Sequence, residues 1–507
     1  MSASLKQEIE ELKKRRKKAQ NEADLLEEAK ICNQLGDLFS QCGDHRQALH
    51  HHQCELSLSE AVGDRLGAAV AHRRVGECEC ELGNYESALS HQEEHLRVAE
   101  ELGDQPEVQR ALTTLGRTYL HQADRGKVDE TDQLLRKAGT AFLKSLDVCD
   151  KLVGSVPERE VLSMRSRSYL NLGLVYEIRG DYKSAREFMQ KALGIVKELG
   201  DTDTVFRCHL DLGSLRLKDH HPTEAVSCFH EALAILKKKP NPQQMADTLR
   251  EMAKAHLLLS DFEAAKDCLK KVCKLTRNVQ GEGETVGYSL RAVRKVIKYR
   301  EEVEEVGMDR VNERLQLLEK LGDLCSNLGA YPSAILYYEQ QLSLAEAHGA
   351  EPEALSKVYY SLASTHTDCR QFSEAMTYHE KELKLWERRP LELCSTWSNI
   401  ARLHEAARRG KSQVQEAYHK AIECAREANS PADLIAVYQS LLSYCRSAPG
   451  MKAERRVCEQ EVASLLRLHP HSDIPAQDTD TPSLSEDSPT TLSSGGHYLV
   501  INLLTNT

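Results

Sequence analysis

Aromatic residues are scarce, 5% of the 507-residue chain with only two tryptophans, and runs of β-branched residues are few. A sheet draws on both for its pleated faces, so an all-β architecture is excluded. Fourteen prolines and 27 glycines are too few for a chain made mostly of tight turns. No apolar run approaches the ~20 residues that span a bilayer, and no secretory leader pattern is present. This points to a soluble, intracellular protein with no membrane contact. Positive charge is not in excess either: 67 basic against 78 acidic residues leave a net charge of −11. There is therefore no global field to draw in nucleic acid, and direct sequence-specific binding to it is not expected. Phosphate-binding loops, the Gly-x-Ser-x-Gly elbow and the His-Glu-x-x-His pair are all missing, which argues against an enzyme and against any cofactor. Cys78 and Cys80 lack a second pair at zinc-finger spacing. In His50-His51-His52, consecutive helical side chains point about 100 degrees apart and cannot share one metal ion well. The sixteen cysteines, among them Cys32, Cys149, Cys228 and Cys424, are spread singly along helical patterns, as small core hydrophobes in a reducing compartment.

What is present is a repeat. Leu35-Gly36-Asp37, Val75-Gly76-Glu77, Leu115-Gly116-Arg117, Leu172-Gly173-Leu174, Leu212-Gly213-Ser214 and Leu321-Gly322-Asp323 each place a small residue behind a large apolar one. The spacing is 40 residues from Gly36 to Gly76 to Gly116, 57 to Gly173, and 40 again to Gly213. Ala253, Ala363 and Ala401 extend the same ruler, making nine units. Twelve residues after the small position comes an alanine, as in Ala48, Ala88, Ala185 and Ala225. Between the two lies a turn such as Gly43-Asp44 or Gly180-Asp181-Tyr182, where glycine ends one helix and the acidic residue caps the next. This is a tandem helical hairpin. Its small residues resemble those of the tetratricopeptide repeat. The period near 40 is similar to that of the spindle-orientation adaptors with Leu-Gly-Asn repeats and of kinesin light chains.

The expected fold class is all-α, a solenoid of about nine 40-residue hairpins with a disordered carboxy-terminal tail. The domains read as a basic helix over 1–26, repeats 1–6 over 27–275, and a helical connector or degenerate repeat over 276–311. Repeats 7–9 with a capping helix follow over 312–469, then a tail over 470–507 rich in Asp, Ser, Thr and Pro. The third unit carries extra residues near Gln122 to Asp132, expected as a solvent-exposed loop. The run from Lys13 to Lys18 reads either as an import signal or acidic-surface contact, or as the solvated face of a capping helix. The apolar ending Tyr498 to Leu504 looks foreign to what precedes it, as in a truncated or alternatively spliced product.

In such a stack the first helix of each unit lines an inner face. Residues six and two before the small position, and one and four after it, are expected to point there. One row is Arg110, Arg167 and Arg207; a second is Arg74, Thr114, Asn171, Asp211 and Glu251; Arg117, Glu177, Lys254, Asp323 and Arg402 complete the surface. Such a groove suits an extended peptide, with Asn171 and Asn399 bonding its backbone and the carboxylates its Lys or Arg side chains.

The phrases Ala71-His72-Arg73-Arg74-Val75-Gly76-Glu77, Arg167-Ser168-Tyr169-Leu170-Asn171-Leu172-Gly173-Leu174 and Tyr337-Tyr338-Glu339-Gln340-Gln341-Leu342 are similar to the amino-terminal array of the Tonsoku-like family. The resemblance runs from about Leu5 to Leu468. It implies a nuclear, chromatin-bound scaffold for DNA repair, with the cytoplasm as a second compartment. Such a scaffold recognises newly deposited histones and supports homologous recombination at stalled or broken replication forks. The implied partners are histones and histone chaperones, replication-fork proteins including helicase components, and one dedicated large partner. The ankyrin and leucine-rich repeats of the family do not occur in these 507 residues, so the region that holds the large partner is not part of the resemblance. A cytoplasmic polarity or motor adaptor remains the alternative.

Overall fold

A computed structural model describes residues 3–125, 128–277, 282–307, 310–448 and 450–468, which form 22 α-helices and no β-strand. Helix α1 (Ala3–Glu22) is followed by hairpins α2/α3 (Leu25–Gln41, His45–Val62), α4/α5 (Arg65–Glu81, Tyr85–Leu102) and α6/α7 (Gln105–Arg125, Val128–Leu152). Next come α8/α9 (Glu158–Ile178, Tyr182–Leu199) and α10/α11 (Thr202–Lys218, Pro222–Lys238). These make up a first unit, which ends at Pro240. The second unit begins at Asn241 with α12/α13 (Pro242–Leu258, Phe262–Leu275) and an unpaired helix α14 (Glu282–Glu305). It continues with α15/α16 (Val311–Asn327, Tyr331–Ala347), α17/α18 (Pro352–Asp368, Phe372–Leu385), α19/α20 (Pro390–Ala406, Lys411–Glu427) and α21/α22 (Pro431–Ser447, Lys452–Leu468).

Local chemistry explains the hairpins. Gly43 adopts a left-handed φ of 76° that ends α2, and Asp44 then accepts the free Gln47 amide to start α3. Asp181 does the same for Ser184 at the start of α9. Each glycine of the ruler is covered by a side chain of the following helix. That covering residue lies 16 positions on: His52 over Gly36, Gln92 over Gly76, Met189 over Gly173, Phe229 over Gly213 and Tyr338 over Gly322. A methyl group at any of these glycines would enter the covering side chain. The alternation of a missing and a large side chain is what sets the helix–helix distance.

In the third hairpin Phe142 covers Gly116 from 26 positions away. The extra residues near Gln122 do not form the expected exposed loop. Helix α6 runs on through Gln122 to Arg125 and α7 starts at Val128, because Leu120, Ala123, Leu134, Leu135 and Ala138 pack with Phe142 into a buried cluster. The insertion lengthens both helices. A second departure lies at the end of the array, where α21 and α22 pair in place of one capping helix. Leu442 stands 41 residues after Ala401, where the ruler looks for Gly or Ala, so this last hairpin escapes detection. The stretch 276–311 is internal to the second unit and holds α14, while the tail expected from residue 470 lies outside the described residues.

Tyr338 makes Gly322 a sensitive position. The ring is 3% exposed and its hydroxyl donates to Asp323 Oδ1 at 2.6 Å, so it has no room to swing away. Gly322→Ala is expected to destabilise the α15/α16 hairpin by about 1–3 kcal/mol through overpacking. Hydrogen exchange in α15 and α16 would read this as faster amide opening; unchanged protection would contradict the close-approach account.

Candidate peptide-binding site

The inner face of the first unit is built by α2, α4, α6, α8 and α10. Neighbouring first helices touch one another, α4 against α6 and α6 against α8. Residues three, four and seven apart on each helix present one charged stripe to this face.

The stripe is largely self-paired. Arg74 reaches Asp37 at 3.2 Å on the preceding repeat and Glu77 at 3.4 Å on its own helix. Arg110 bonds Glu107 and, at 3.0 Å, Glu160 of the next repeat. Glu177 accepts from Lys218 of α10 at 2.7 Å. Burial tends to raise the Glu77 carboxyl, but Arg73, Arg74 and Arg117 together hold it down at about 2. Asp37, Arg74, Glu77, Thr114, Arg117 and His121 line a cleft across three repeats. Burial, with Arg117 and Arg125 nearby, pushes His121 down to about 4, so it is neutral at physiological pH.

Four groups are not paired off. Arg117 and Arg167 are half-buried, and the Arg117 Nε has no hydrogen-bond partner. Asn171 is buried, 7% exposed, with no partner for its amide among the described residues. Asp211 is open to solvent yet surrounded by protein, as expected on the floor of a concave surface. The surrounding protein and the like charge of Glu177 push its carboxyl up to about 7, against the pull of Arg207 and Lys218.

Tetratricopeptide-repeat models match residues 27–101, 67–130 and 164–238, and a further one matches 317–349. The chain is 34% identical to the Tonsoku-like protein of Bos taurus over 84% of its length, and 36% identical to that of Danio rerio over 83%. Over most of its length the chain is similar to part of the Tonsoku-like proteins. It spans 31% of the bovine relative and 29% of the fish one. Among solved structures, BtubC from P. vanneervenii is similar with a TM-score of 0.39 and 19% identity, covering 47% of this chain and 95% of that one.

This array is a tetratricopeptide-repeat scaffold for protein–protein interaction. Of the residues expected in its groove, the first unit brings together Arg110, Arg117, Arg167, Asn171, Glu177, Arg207 and Asp211 on α6, α8 and α10. Arg207 makes only a 3.4 Å contact to Thr204 Oγ1. Arg74 and Thr114 lie on the same face of the first unit, whereas the second-unit residues are held locally: Glu251 with Lys254 at 2.8 Å, Asn399 with Arg402 at 2.8 Å, and Asp323 with Tyr338 at 2.6 Å. Asp37 and Glu77 were missed as groove residues, although the ruler that places Arg117 one position after Gly116 also places them after Gly36 and Gly76.

Other candidates have structural duties. His52 is buried beneath Gly36 and bonds Glu55 at 3.0 Å, and His51 stacks on Phe39. In the basic run, Arg15 and Arg16 pair with Glu27 and Glu28 at 2.8 and 3.1 Å, fixing α1 to α2 over buried Ile9 and Leu12. The cysteines are all free thiols. No helix among the described residues is long and apolar enough to cross a membrane.

Proposed function

We propose that the first unit holds an extended basic peptide, a core-histone tail, and that the chain thereby acts as a nuclear scaffold at replication forks. There it supports homologous-recombination repair of stalled or collapsed forks together with histone chaperones and replication proteins. The observation that carries this reading is Asp211. It is an accessible carboxylate in a concave surface with no cation in contact, while Glu177 crowds it with like charge. A Lys or Arg side chain of a bound tail relieves that crowding by forming a charge-assisted hydrogen bond. The choice of a histone tail among basic peptides rests on what the resemblance to the Tonsoku-like proteins implies, and the 34% and 36% identities to two of them support that resemblance.

The test is a pulldown of the full chain against unmodified histone tails and cell extract at physiological salt. Enrichment of a histone tail supports the proposal; enrichment of cytoplasmic polarity or motor proteins alone overturns it. Binding should also depend on pH. The Asp211 carboxyl titrates near 7 and pairs with a cation only when ionised, so protons compete with the tail below that value. Tail affinity is expected to rise by roughly tenfold between about pH 6 and pH 8. Anisotropy titrations should lose this dependence in Asp211→Asn; a wild-type profile that is flat or falls with pH removes Asp211 from the site.

A further inference from the structure

The same face contains guanidinium groups with no direct ion pair as well as a carboxylate with none. Arg74, Arg110 and Lys218 each find a carboxylate on a neighbouring repeat, yet Arg117 and Arg167 make no ion pair or hydrogen bond among the described residues. Desolvation and the like charges of Arg110 and Arg117 disfavour the charged Arg167, and Asp201 and Glu160 only partly offset them. The Arg117 Nε is buried with no hydrogen-bond partner, and such an atom is costly because its lost water contact is not replaced. Asn171 adds an independent sign. It lies one helical turn after Arg167, on the same face of α8, and although 7% exposed it has no hydrogen-bond partner among the described residues. Its side chain is packed against the helices while its amide keeps its hydrogen-bonding capacity for a ligand at the surface of the groove.

We infer that Arg117, Arg167 and Asn171 form a subsite for an acidic residue of an extended peptide: the two guanidinium groups grip an Asp or Glu side-chain carboxylate and the Asn171 amide bonds the peptide backbone beside it. The local charge favours a carboxylate over a phosphate. Glu77 lies close enough to feel Arg117, and Glu160 close enough to feel Arg167, so the site compensates one negative charge better than two. The peptide that fits the whole face is bipolar, with an acidic residue at the α6/α8 position and a basic one at Asp211 on α10. This rests on the groove being the peptide site, but not on the peptide being a histone tail.

The experiment uses the full chain and labelled Gly-Ser peptides with blocked termini, carrying either two glutamates or two glutamines, read by fluorescence anisotropy at physiological salt. The glutamate peptide is expected to bind about tenfold or more tightly than its glutamine twin, since charge-assisted hydrogen bonds are about twice as strong as neutral ones. Arg117→Gln and Arg167→Gln should each reduce that preference, and Arg117→Lys and Arg167→Lys should retain part of it while preserving the helical circular dichroism spectrum. Asn171→Ser should weaken both peptides alike. Equal binding of the two peptides, or a glutamate preference that survives the double Arg→Gln variant, overturns the inference. So does tighter binding of a phosphoserine peptide, or of an unblocked glutamine peptide, since either assigns the arginines to another anion. A histone-tail peptide titrated in parallel separates the two proposals. Tail binding without glutamate preference rejects the subsite alone, and glutamate preference without tail binding rejects the histone reading alone.

Discussion

Phe229→Ala should cost the first unit about 3–5 kcal/mol, the range for removing a buried phenylalanine. The ring is fully buried and lies directly over Gly213, so truncation leaves a void against a residue that has no side chain to refill it. Solenoid stability is carried by intrinsic repeat terms and nearest-neighbour interfaces, so the loss should concentrate in α8 to α11. Hydrogen exchange would show it as early opening of those helices, with α2 to α5 protected as before. Uniform loss of protection along the unit would mean that the ring-over-glycine contact is not the local organiser described above.

Charge reversal at Asp211 has the largest expected effect on binding. Asp211→Lys places a cation where a basic peptide needs a carboxylate, and it stands beside Arg207 and Lys218, which already bear on this position. Affinity for a Lys-bearing tail should fall by roughly 30-fold or more, the scale set by removing one partner of a close charge pair. Asp211 lies open to solvent with no hydrogen bond to lose, so the melting temperature should hardly move. Retained affinity in a folded Asp211→Lys chain would shift the basic-residue subsite elsewhere in the groove.

Much of the molecule can be read from its periodicity. The small residues at Gly36, Gly76, Gly116, Gly173 and Gly213 locate the first helices because close helix packing admits no side chain there, a constraint that shows in any linear listing of residues. The turns are as visible, since Gly43 and Asp44 perform their roles within four residues of each other. The third hairpin shows where periodicity ends. An insertion announces itself by length alone, and only the packing of Leu120, Leu134 and Phe142 makes it helix instead of loop. Leu442 hides the last hairpin for the converse reason, an apolar side chain at a position elsewhere kept small.

The groove divides along the same line. Helical spacing alone puts Arg110, Arg117, Arg167, Asn171 and Asp211 on one face, because residues three, four and seven apart share it. Which of them are free for a ligand is a matter of partners that lie far off in sequence. Arg110 is taken by Glu160, 50 residues away, and Glu177 by Lys218, 41 residues away, while Arg117, Arg167, Asn171 and Asp211 are left over. The sequence determined the repeat, the helices and the face that each charge occupies, since those follow from local sterics and a fixed rise per residue. Only the tertiary structure decided which charges neutralise one another across repeats, because that depends on how far each hairpin is displaced from the last.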